Sequence, residues 1–106
     1  DEAREEAELM AWVRSLPEPV SGEMEALYRE MIALETPEAK LYKAMDKLEA
    51  IVQHNESDIA TWEPHEYQLN MTYADDAVAW SPVLRELREA IRNDTKAKIA
   101  AAEQQA

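Results

Sequence analysis

Asp46 lies in the middle of the run Glu35–Asn55, ETPEAKLYKAMDKLEAIVQHN, whose apolar residues recur at helical spacing. Aspartate is a poor helix former in an interior position, so something besides helix formation holds it there. Wound as a helix, the run puts Leu41, Met45, Leu48 and Val52 on one face, with Ala44 and Ile51 beside them. Asp46 then shares a strip with Tyr42, Lys43, Glu49, Ala50 and Gln53, beside the apolar stripe rather than on the outermost solvated face. On physical grounds alone this is a boundary aspartate paired with Lys43 or Lys47, an interaction of roughly 0.2–0.5 kcal/mol.

The two histidines, His54 and His65, are eleven residues apart across a predicted loop and match no helical ligand spacing such as H-E-x-x-H. A surface or capping role is expected for both, and His54, at a helix C-terminus, is favoured there as a cation. The carboxylates are dense enough to suggest a di-metal bundle, but the Glu-x-x-His pair which that chemistry needs is missing. Asp75-Asp76 lacks the EF-hand spacing and reads as a turn. With one glycine in the chain, glycine-rich phosphate loops are excluded. Zero cysteine removes disulfides, thiolate metal sites and cysteine nucleophiles together.

The elements that must position these residues are helical. Abundant Ala, Glu, Leu and Met beside one glycine, five prolines and no phenylalanine favour helix throughout, and the alternation of strands is missing. A first acidic amphipathic helix is predicted over 1–16, with Leu9, Trp12, Val13 and Leu16 on its apolar face. Pro17–Gly22 breaks it. A second helix follows over about 23–34, carrying Met24, Leu27, Tyr28 and Met31. Thr36 caps the third and Pro37 opens it, and it runs to about His54. After a loop over 55–62, Pro64 opens a short helix with Tyr67, Leu69 and Met71. Ser81-Pro82 starts a long last helix bearing Leu84, Leu87, Ile91 and Ile99. Trp12, Trp62 and Trp80 are expected as core or boundary anchors, each indole N–H finding an acceptor. The expected fold is all-α, a compact bundle of four to five helices forming one domain over 1–106.

A net charge of −12, from 23 acidic and 11 basic residues, repels phosphate backbones and anionic lipid surfaces. Nucleic acid and membrane surfaces are therefore not expected partners, and a reducing cytosol is the expected compartment.

The segments Thr36-Pro37-Glu38-Ala39-Lys40-Leu41, Lys43-Ala44-Met45-Asp46-Lys47-Leu48-Glu49 and Gln53-His54-Asn55 resemble the HD-domain superfamily of metal-dependent phosphohydrolases, and within it the 5′-deoxynucleotidase-like branch. The likeness is strongest over 35–55 and extends more weakly from about Leu16 to Ile99. It implies that Asp46 is the last aspartate of a metal site written His…His-Asp…Asp, with Lys43 and Glu49 as supporting or substrate-facing neighbours one turn away. It implies a divalent transition metal, which polarises a phosphoryl oxygen and lowers the pKa of bound water. The implied substrate is a nucleoside monophosphate or a similar small phosphoester.

The chain departs from this pattern in one large respect. His54 and His65 both follow Asp46, and neither precedes an aspartate. No glutamate can be assigned as the family's catalytic one, so no catalytic residue is named. The resemblance therefore implies the C-terminal half of a larger HD domain, whose partners are missing N-terminal helices or a second chain, with a homo-oligomer expected. The competing expectation is a non-catalytic helical interaction module, or a degenerate HD-like domain, in which Asp46 is salt-bridged and solvated.

Overall fold

The computed structural model describes residues 1–105, and among these six α-helices and one 3₁₀ turn account for all regular structure. They are α1 (Glu2–Arg14), α2 (Val20–Ala33), α3 (Pro37–Glu56), the turn Ile59–Thr61, α4 (Pro64–Thr72), α5 (Asp75–Val78) and α6 (Pro82–Gln105). The all-α expectation holds. The chain divides into two compact units, residues 1–40 and 41–106, with the start of α3 in the first and most of it in the second.

In the first unit Asp1 caps α1 by accepting a hydrogen bond from the Ala3 N–H at 3.1 Å. Val13 is the one buried residue of α1, and Ser21 the one buried residue of α2. The two helices pack together and are joined by Arg14, which donates to Glu25 at 2.9 Å. The second helix begins three residues earlier than expected, at Val20. Pro19 takes the cap position after a cis Glu18–Pro19 peptide, so the prolines end the loop and lead into the helix. Leu34 closes α2 in the left-handed region (φ 54°). Thr36 then caps α3, accepting from the Ala39 N–H at 3.1 Å and donating to Glu30 at 2.8 Å.

The second unit holds the continuous core. Ala44, Leu48 and Ile51 of α3 meet Ala74, Val78, Leu84 and Ile91, with Val52, Tyr73 and Ala77 packed against them. Here the structure corrects the expected face of α3. Leu41 and Met45 are each 46% exposed, and the buried stripe is Ala44-Leu48-Ile51. The two stripes overlap on a helical wheel, and periodicity alone could not choose between them.

The last helix shows the same kind of correction. Its buried residues are Leu84, Arg88, Ile91 and Thr95, while Leu87 is exposed. Ser81 caps α6 as expected, accepting from the Leu84 N–H at 3.2 Å. Asp75-Asp76, expected as a turn, opens the short α5 after Ala74, which takes a left-handed conformation (φ 76°). Of the three tryptophans only Trp62 is buried; Trp12 and Trp80 are exposed. The indole N–H groups of Trp62 and Trp80 find backbone acceptors, the carbonyls of His54 and Ala77.

Candidate functional site

Asp46 is exposed on α3. With about 3.6 residues per turn it falls roughly half a turn round the helix from the Ala44-Leu48-Ile51 face. The core therefore anchors one side of α3 and leaves Asp46 on the other, together with the exposed Tyr42, Glu49 and Gln53. Lys43 is exposed as well. The strip expected at the core boundary is thus the outward face of the helix, because the buried stripe is centred on Ala44 and not on Met45. Among the described residues Asp46 enters no salt bridge, with Lys43, Lys47 or any other cation. Lys47 instead lies over the Tyr73 ring, 5.6 Å from its centroid. Glu49 accepts a hydrogen bond from Gln53 one turn on.

The histidines do not gather around Asp46. His54 is half-buried, its Nδ1 2.9 Å from the side-chain oxygen of Asn70 and its carbonyl accepting from Trp62. It ties the end of α3 to α4, a packing role in place of the expected surface or capping one. Asn55 continues this tie to α6, donating to the Ile91 carbonyl and accepting from the Thr95 hydroxyl at 2.9 Å. His65 is exposed. No group of three or more His, Cys, Asp or Glu residues capable of holding a metal ion occurs among the described residues.

The most developed polar cluster is one that sequence reasoning missed. Arg88 is buried, with its side chain 1% exposed, and donates to Asp75 at 3.2 Å and to the Asn70 carbonyl at 2.9 Å. Arg92 also grips Asp75, at 3.0 Å, and donates to the Met71 carbonyl. Burial lowers the Arg88 pKa from its ordinary value, and the neighbouring Arg92 adds to the effect, while Asp75 opposes it. For Arg92 the balance is reversed, and its hydrogen bond with Asp75 raises the pKa. A signal for this cluster was present in the sequence. Leu84, Arg88, Ile91 and Thr95 follow helical core spacing, and an arginine in such a stripe demands a buried acceptor.

A family model described as "HD domain" matches residues 1–88, most of the chain. The chain belongs to the HD-domain family. No curated protein and no solved structure matches it. No helix of the described residues is long and apolar enough to cross a membrane.

Proposed function

We propose that this chain is the C-terminal half of a metal-dependent HD phosphohydrolase of the 5′-deoxynucleotidase-like type, contributing Asp46 as one ligand of the metal centre. The observation that carries the reading is the placement of Asp46 within a region matched to the HD family. It sits exposed and without an ion pair on the outward face of a helix whose opposite face is fastened in a core. A carboxylate so placed can meet ligands brought by another segment or a second copy of the chain. Tyr42 and Met45, 54% and 46% exposed beside it, offer apolar surface for the same contact.

The described residues do not form a metal site by themselves, since among them no cluster of ligands surrounds Asp46. The metal, a divalent transition ion, and the hydrolysis of a nucleoside monophosphate or similar small phosphoester therefore depend on the His and His-Asp ligands coming from outside this sequence. Lys43 and Glu49, exposed one turn to either side, are the residues of this chain placed to support Asp46 or to face the substrate. The reading carries with it a cytoplasmic enzyme that works as an oligomer.

The lack of a His-Asp pair in the sequence favours a second reading, a non-catalytic helical module. Metal content and phosphate release from a panel of nucleoside monophosphates, measured on the complete protein and on its Asp46→Ala variant, separate the two. Loss of bound metal and of activity in a variant with unchanged melting temperature is expected, because Asp46 is exposed and unpaired. Equal metal content and activity in both proteins would remove Asp46 from the site.

A further inference from the structure

Three of the six arginines, Arg85, Arg88 and Arg92, lie at helical spacing along α6, and all three line a cavity of about 230 Å³ with Asp75 and Glu89. Three cations face two carboxylates there, leaving a local excess of positive charge in a chain whose net charge is −12. Both carboxylates are paired within this cluster, which leaves Arg85 as the lining cation without a carboxylate partner. Asp75 is held by Arg88 and Arg92, and Glu89 accepts from Arg92 at 3.1 Å.

Two of the lining residues keep hydrogen-bonding capacity. Arg85 is exposed, and its guanidinium makes one hydrogen bond, to the Ala79 carbonyl. The Nη1 of Arg88 is buried and has no acceptor. A buried donor without a partner is destabilising, more so when the group is charged, so an acceptor near Arg88 is favoured.

We propose that the cavity between α5 and α6 is a binding site for one small oxyanion of the inorganic phosphate class, held by Arg85 and Arg88 with Arg92 fixing the wall. Guanidinium groups match the oxygens of a tetrahedral oxyanion with paired N–H donors. At about 230 Å³ the cavity has room for a small tetrahedral oxyanion. Asp46 is not among the lining residues, so the site stands apart from the proposed metal ligand.

Titration of the full chain with inorganic phosphate in the presence of EDTA, against sodium chloride at equal ionic strength, tests this by following the arginine Nε–H resonances. Saturable shifts of the Arg85 and Arg88 signals are expected, with a dissociation constant on the order of millimolar. Arg85→Gln, at an exposed position that leaves the core intact, should weaken binding about tenfold. Asp46→Ala should leave it unchanged. Shifts that chloride reproduces, an equal dissociation constant in Arg85→Gln, or loss of the response in Asp46→Ala would each overturn the proposal.

Discussion

The two units of the chain use their apolar residues differently. In residues 41–106 the large aliphatic side chains of Leu48, Ile51, Leu84 and Ile91 converge on one cluster, joined to a buried polar tie through Arg88, Asn70 and Thr95. In residues 1–40 the apolar stripes are as regular in sequence, yet Leu9, Trp12, Leu27 and Ile32 are exposed, and α1 and α2 each bury one residue. An amphipathic stripe shows that a helix has a face to bury; it does not show that the burying partner is part of the same unit. The second unit therefore carries the larger share of the stability, and the first is held to a greater degree by caps and surface ion pairs.

The sharpest way to break this contrast is truncation in matched pairs. Ile51→Ala should destabilise the chain by about 2–5 kcal/mol in urea unfolding, since a fully buried side chain leaves a cavity behind. Leu27→Ala, at a residue 58% exposed in the first unit, should stay within about 0.5 kcal/mol of the parent. Equal losses would mean that Leu27 is covered in solution and that the contrast between the units is false.

A smaller effect is expected at the polar tie. Asp75→Ala leaves the buried Arg88 guanidinium without its carboxylate, at a cost of roughly 3 kcal/mol, moderated because Asp75 itself is 43% exposed. Arg92→Ala, which spares the pair between Arg88 and Asp75, should cost clearly less by the same measurement. If the two variants are equally stable, Arg88 does not depend on that pair.

The smallest effect belongs to the first unit. Hydrogen bonds from Arg14 and Arg29 hold the Glu25 carboxyl below its ordinary pKa. A depressed folded-state pKa contributes stability above the carboxylate's ordinary titration range, and that contribution is lost as pH falls through the folded value. Glu25→Gln should therefore lower the melting temperature slightly at neutral pH, with the difference closing on acidification. A gap that widens in acid would reverse the assignment.

Much of the helical framework was legible because its signals are local. Thr36-Pro37 and Ser81-Pro82 mark helix starts by chemistry that acts within one turn, and both caps form as expected. The candidate site was legible only through the TPEA…KAMDKLE run, because a lone aspartate has no spacing to be read. Nothing local could tell that Asp46 stands on the outward face, since that depends on whether Ala44 or Met45 meets the core. The Arg88–Asp75 pair bridges thirteen residues and lies outside any helical repeat, although an arginine at core spacing between Leu84 and Ile91 was a usable hint.

By itself, then, the sequence determined the all-helical class, the acidic field and the helix starts at Pro37 and Pro82, and its likeness to HD domains singled out Asp46 as a candidate ligand. Those properties come from composition and from interactions within a few residues. Tertiary structure alone decided which stripe of α3 is buried, that Asp46 is left outward and unpaired, and that three arginines of α6 gather around one cavity. Each of these rests on the packing of helices distant in sequence, which no interaction within a few residues can specify.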